Sequence, residues 1–278
     1  MQDDRPKTIL DTLFVTVRCV LKVGFCVRKR DGVEKLLYIC SLKIGKSDMK
    51  VTALIVAGGS GTRFGAAVPK QFVELCGIPV LMRTMVRFEQ SGVCDCIIVV
   101  LPADQFGQWQ ELCCKHGFDI PHQVVAGGDT RFQSVKNGLA AMTIEPGDLV
   151  AVHDGVRPLV LPADIKAACE AAAKHGSAVP MAQFPYSDSL RQMLPDGITR
   201  PIDRGSLRVV LTPQVFAAVA LSKAYDVPFD PRFTDDATVF EAAGHTIHAV
   251  TGNLENLKIT RAEDLARAEE ILHRQQID

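Results

Sequence analysis

Apolar and polar positions alternate along this chain in two textures that meet at Met49-Lys50. From Val51 onward, short unbroken apolar runs alternate with longer stretches of helical periodicity, the pattern of βαβ units around a mostly parallel sheet. The runs predict buried strands over 51–56, 96–101, 122–126, 148–153, 177–183 and 246–251. Apolar spacings of three and four predict helices over 78–91, 104–116, 131–142, 162–175, 214–225, 235–243 and 261–275. Gly176 and Gly244 stand where two of these helices should stop, and Thr260-Arg261-Ala262-Glu263 opens the last one with a capping-box pattern. Before Met49 the pattern differs. Leu13 to Val27 is apolar and β-branched but interrupted by Arg18 and Lys22; Arg28-Lys29-Arg30, an Asp31-Gly32 turn signal and a second apolar run from Leu36 to Ile44 follow.

Charge sharpens that boundary. The first fifty residues hold 11 basic and 6 acidic side chains, the remaining 228 hold 20 and 26, and the whole chain of 278 is at net −1. A balance so close to zero argues against a nucleic-acid-coating surface, and no apolar stretch is long enough for a membrane-spanning helix. Residues 1–50 lack the uninterrupted apolar core of a secretory signal, and Asp3, Asp4 and Asp11 disfavour an organelle transit peptide. The nine cysteines (19, 26, 40, 76, 94, 96, 113, 114, 169) are odd in number and have no CxxC spacing, which predicts reduced thiols in a cytoplasmic protein and no zinc site.

The candidate chemistry lies at strand ends. Ala57-Gly58-Gly59-Ser60-Gly61-Thr62-Arg63 follows the first strand, a run in which backbone N–H groups can approach a phosphate closely. It is neither a P-loop, which needs a Lys-Ser/Thr pair, nor a GxGxxG fingerprint, because Phe64 occupies the last glycine position. Arg63 and Lys70 supply a cation on either side of the loop, a clamp suited to nucleotidyl transfer, where charge neutralisation dominates catalysis. A second glycine loop, Ala126-Gly127-Gly128-Asp129-Thr130-Arg131-Phe132-Gln133-Ser134, also follows a strand, so the two predict one shared crevice. Asp129 reads equally well as a helix N-cap, and Ser134 as a packing residue. Asp154, in His153-Asp154-Gly155-Val156-Arg157-Pro158, reads as a Mg²⁺ ligand at a strand tip or as a turn cap, and His153 as a satisfied buried imidazole. Thr234 also fits a helix N-cap and Lys258 a surface lysine.

Taken in order, AGGSGTR, PKQ, GGDTRFQSV, HDGVRP, SDS, DR, TPQ, TDD and NLK resemble the 2-C-methyl-D-erythritol 4-phosphate cytidylyltransferase family over about residues 50–275. The resemblance implies an α/β, Rossmann-like nucleotidyltransferase domain over 49–278, a mostly parallel central sheet, and a protruding β-arm near 183–208 that swaps across a homodimer. It implies transfer of CMP from CTP to methylerythritol phosphate with Mg²⁺ or another divalent cation. Carried over by position, Arg63 and Lys70 stabilise the transition state, and Arg204 and Lys258 position the acceptor. Ala57, Gly58, Gly59, Gly61, Gly128, Asp129 and Ser134 hold the nucleotide. Asp154 serves metal and substrate, and Arg157, Ser189, Thr212 and Thr234 line the acceptor site. Asp188-Ser189-Leu190-Arg191 stands where many relatives carry Asp-Thr-x-Lys, keeping a hydroxyl and a charge. A CDP-ribitol-type enzyme shares most of these loops, and a catalytically silent nucleotide binder on the same fold is the alternative of another class. Residues 1–48 fall outside the family pattern: either an appended segment, or a start assigned ahead of a native Met49, which sits directly before the first strand.

Overall fold

The computed structural model describes residues 49–59 and 68–277. The expectations for residues 1–48 and for Gly61 and Arg63 lie outside the described residues.

The central strands form where the apolar runs are unbroken on both faces. Strands β1 (Val51–Val56), β4 (Cys96–Leu101), β5 (Gln123–Ala126) and β6 (Leu149–Asp154) are parallel neighbours in the order β6-β1-β4-β5. Short β2 (Glu74–Leu75) and β3 (Ile78–Pro79) pair separately, ahead of helix α1 (Val80–Ser91). Side chains alternate across the sheet as the pleat requires. Ala53, Ile55, Val99 and Ala151 face one core layer, packed under α1, Trp109 of α2 (Phe106–His116) and α4 (Pro162–His175). Leu54, Val100, Val150 and Val152 face the other, covered by α3 (Arg131–Ala140), α5 (Ala218–Ala224) and α6 (Asp236–Ala242). A Cβ on Gly138 would come 2.4 Å from Leu54 Cδ1, so glycine lets α3 lie close on β1. The C-terminal helix α7 (Glu263–Ile277) closes a third cluster with Leu75, Val156, Leu159 and Ile259.

Beyond β6 the sheet stops being parallel. Strand β11 (Gln214–Ala217) runs antiparallel to β6 and to β7 (Ser177–Gln183), and β10 (Arg208–Val210) runs antiparallel to β7, while β12 (Ala249–Thr251) pairs parallel with β7. This corrects the helix predicted over 214–225: its first four residues enter the sheet, burying Val215 and Phe216, and the helix starts at Ala218. Residues 211–213, with a cis Thr212–Pro213 bond, interrupt the returning strand. Between the Val209–Ala182 and Val215–Ala178 pairings, β7 advances four residues and its partner six. Strands β8 (Leu190–Met193) and β9 (Thr199–Ile202) form a separate exposed hairpin within the span where an arm was expected.

At three helix starts the capping side chain stands one residue after the candidate the sequence offered. The N-cap of α3 is Thr130, whose hydroxyl accepts the Gln133 N–H, rather than Asp129. That of α6 is Asp235, in a reciprocal capping box with Thr238, rather than Thr234. Ahead of α7, Asp264 and not Glu263 accepts from the Thr260 and Arg261 N–H groups.

Candidate active site

Because β1, β5 and β6 are parallel, their carboxyl ends deliver three loops to one sheet edge. There Ala57, Gly58, Gly59, Lys70, Gly128, Asp129, Ser134, Asp154 and Lys258 line a cleft of about 340 Å³ together with Arg131. Lys70, in a short 3-10 turn after Pro69, lies along the first loop, with its Cε 3.5 Å from where a Gly59 Cβ would stand. Ser134 joins the loops. Its hydroxyl accepts the Gly128 N–H at 3.1 Å and donates to the Thr130 carbonyl at 2.9 Å, and it would meet a Cβ on Gly127 at 3.1 Å. The Ser134 hydroxyl therefore holds the shape of the second loop, leaving backbone groups and the exposed Asp129 to face the cleft.

Asp154 is the electrostatic centre. Its Oδ2 lies 3.0 Å from Arg157 Nε and 3.1 Å from Lys258 Nζ, and its Oδ1 lies 3.7 Å from Arg131 Nε. Burial pushes the carboxyl up, but Arg131, Lys258 and Arg157 outweigh it and hold the group well below the usual carboxylate range. Three cations surround Asp154, and because Arg131 is also paired with the buried Asp236 they leave a surplus of one positive charge, which suits phosphate. Gly155 follows because a Cβ there would stand 2.8 Å from Ala57 Cβ, pressing the two loops apart.

Behind Asp154 runs a buried polar chain. The Arg157 carbonyl can only accept, so His153 Nε2–H donates to it at 3.2 Å, and Nδ1 accepts the Thr212 hydroxyl at 2.8 Å. The Thr212 oxygen in turn accepts the Asp154 N–H at 3.3 Å, and the Thr212 carbonyl accepts from Asn256 Nδ2 at 2.6 Å. Arg157 Nη1 donates to the Asn256 carbonyl at 2.8 Å. Thr212, expected to line the acceptor site, thus turns its hydroxyl inward, and Arg157 also points into the protein. Both shape the floor beneath Asp154. Burial lowers the His153 pKa from 6.5 to about 4, which keeps the imidazole neutral as the tautomer requires.

That depression has a measurable consequence. Between pH 6.5 and 4 the unfolded chain takes up a proton at position 153 that the native state refuses, so stability falls as pH drops through this window and is flat above it. The loss attributable to His153 is about 3 kcal/mol. Unfolding free energies from urea titrations should fall between pH 7 and 4 by about 3 kcal/mol less in His153→Gln than in wild type, while the half-buried His122, also lowered, contributes equally to both proteins. An equal fall in both would remove this account of His153.

The remaining expected residues lie elsewhere. Arg204 and Ser189 are exposed on the arm segment and are not part of this chain's cleft; Arg204 donates to the Ser187 and Asp188 carbonyls. Thr234 is exposed, next to the α6 cap. Sequence reasoning gave no role to Arg131, Asp236 or Asn256, although all three stand within motifs it singled out. The described residues contain no group of three or more His, Cys, Asp or Glu placed to hold a metal, and none of their helices is long and apolar enough to cross a membrane.

An open α/β sheet with two glycine loops and an anion-attracting floor at the strand carboxyl ends defines a nucleotide-binding transferase. Residues 51–274 match the family model for 2-C-methyl-D-erythritol 4-phosphate cytidylyltransferase. The enzyme of that name from Porphyromonas gingivalis is 46% identical over 226 residues, 81% of this chain and 99% of the relative. That from Geobacter metallireducens is 40% identical, covering 80% and 97%. Among solved structures, the Thermus thermophilus enzyme superposes with a TM-score of 0.61 at 30% identity, covering 80% of this chain and 98% of its own. The 4-diphosphocytidyl-2C-methyl-D-erythritol synthase of Anaerococcus prevotii gives 0.69 at 26%, covering 81% and 96%. The chain belongs to the 2-C-methyl-D-erythritol 4-phosphate cytidylyltransferase family.

Proposed function

We propose that this protein transfers CMP from CTP to 2-C-methyl-D-erythritol 4-phosphate, releasing pyrophosphate, in the non-mevalonate isoprenoid pathway. The observation that carries the reading is the cleft that joins two glycine loops and Lys70 to the cation-ringed Asp154. A phosphate oxygen of the acceptor attacks the α-phosphorus of CTP, the new P–O bond forms, and the bond to the pyrophosphate oxygen breaks. The acceptor is already anionic, so no general base is needed. The residues must instead bring two anions together and neutralise the charge that builds between them. Lys70, with Arg63, serves the α-phosphate; Lys258 serves the acceptor phosphate; Ala57 to Gly59, Gly128 and Asp129 hold the nucleoside.

Divalent metal fits this cleft on limited terms. Asp154 offers an ionised carboxylate, but Oδ2 is taken by Arg157 and Lys258, so Oδ1 is its available donor atom. That suits Mg²⁺ carried mainly by triphosphate oxygens and water, which would supply charge neutralisation on the phosphates. Arg204 and Ser189, outside their own chain's cleft, suit a homodimer in which each arm completes the partner's acceptor site. The catalytic unit is then 49–278, and thiol-rich, near-neutral composition suits the cytoplasm.

Pyrophosphate release tests the reading, with CTP and either methylerythritol 4-phosphate, ribitol 5-phosphate or no acceptor. Turnover with methylerythritol phosphate is expected. Turnover with ribitol phosphate alone would move the protein to the CDP-ribitol class, and none with either would make it a silent nucleotide binder.

A further inference from the structure

Arg131 is held from behind. Its Nη1 and Nη2 donate to the two carboxylate oxygens of Asp236 at 3.0 and 2.6 Å, while its Nε edge faces Asp154. Asp236 is fully buried, and its Oδ1 also accepts the Tyr225 hydroxyl at 2.6 Å. The Tyr225 ring stacks on Phe132, the residue after Arg131, with centroids 4.7 Å apart. The start of α6 is itself fixed to β11, where Gln214 accepts the Ala237 N–H and donates to Asp235, both at 2.9 Å. A forked guanidinium–carboxylate contact leaves no freedom to rotate, so the orientation of Arg131 in the cleft is set by α6 and not by any ligand.

The charges divide accordingly. Asp236 balances Arg131, Arg157 balances Asp154, and Lys258 carries the surplus. Side-chain exposure agrees: 40% for Lys258 against 29% for Arg131 and 11% for Arg157. Lys258 is therefore the cation of this set that can turn from Asp154 to an arriving phosphate. We infer that Asp236 and Tyr225 are positioning residues for the transfer, clamping Arg131 so that it cannot collapse onto Asp154 and Lys258 is left to the acceptor phosphate. Burial and the adjacent Asp236 raise the Tyr225 phenol above its ordinary value, so the hydroxyl stays a donor. Burial opposes the charge on Arg131, but Asp236 more than compensates and keeps it protonated.

The inference rests on the cytidylyl-transfer reading, and the test separates the two. Steady-state kinetics of the full chain, varying each substrate in turn, are compared for wild type, Tyr225→Phe, Asp236→Asn and the double variant. Tyr225→Phe keeps the ring on Phe132 and removes one hydrogen bond. It should raise the KM for methylerythritol phosphate about threefold, and Asp236→Asn about tenfold or more, with the KM for CTP changed less than about twofold. The double variant should match Asp236→Asn alone, since the phenol acts only through that carboxylate. Should Asp236→Asn fail to fold, Tyr225→Phe decides by itself. Unchanged acceptor KM in folded variants, or both KM values rising together with a fall in melting temperature, would reduce the pair to a structural role and overturn the inference. If wild type turns over ribitol phosphate instead, the reaction reading fails, and the same comparison of acceptor KM with that substrate still decides the clamp.

Discussion

Lys70→Ala is expected to lower kcat by about 100-fold or more, the scale for removing one donor that meets charge developing in a transition state. The Lys70 stem lies along Gly59 beside the first loop, in the same cleft that Lys258 lines. In the proposed reaction its ammonium serves the triphosphate and not the acceptor. The defect should therefore fall on kcat and leave the KM for the acceptor near wild type. Single-turnover measurements at saturating CTP check this, and an unchanged rate would strike Lys70 from the catalytic set. Lys70→Arg should recover only part of the activity, because a planar fork cannot follow a moving phosphate as an ammonium does.

Arg204→Ala and Lys258→Ala should each be nearly inactive alone, yet active when combined. If each arm completes the partner's site, random assortment makes half of all dimers mixed, and every mixed dimer has one site with both residues intact. Co-expression in equal amounts should then restore about a quarter of wild-type turnover per site. Each variant alone should lose about 100-fold or more through acceptor binding and orientation. A co-expressed mixture as inactive as its components would mean that Arg204 acts within its own chain, and the hairpin would have to be repositioned to reach the cleft.

The parallel core was legible because β1, β4 and β6 are buried on both faces. Val51–Val56, Cys96–Leu101 and Ser177–Gln183 have the bounds that their apolar runs predict. Gln214–Ala217 was not, because four strand residues flow into a helix with no polar break, and periodicity cannot divide them. Capping residues were legible as a class and misplaced by one, since Asp129-Thr130 and Thr234-Asp235 each offer two competent side chains in succession. That the two glycine loops share one cleft could be read from their glycines and their places after strands. The floor could not: Arg131, Asp236 and Asn256 gain their meaning from partners 105, 105 and 99 residues away, and an isolated Arg or Asp in a loop motif looks like surface charge. The inward turn of Thr212 likewise depends on His153, 59 residues distant.

The six-against-four step beside β7 shows how the chain gets a hydroxyl under Asp154 without disturbing the sheet. Inside and outside alternate with period two, so one surplus residue kept in regular extended backbone would exchange the faces of everything after it. Two surplus residues restore the parity: Val215 returns to the same side as Val209, and Val215 and Phe216 are both buried. The detour at 211–213 thus keeps the alternation of the two strand pieces with an even surplus, where a one-residue surplus would need a bulge. A relative that lengthened or shortened it by a single residue would have to take up the change in a bulge there to keep both the packing of β11 and the support beneath the site.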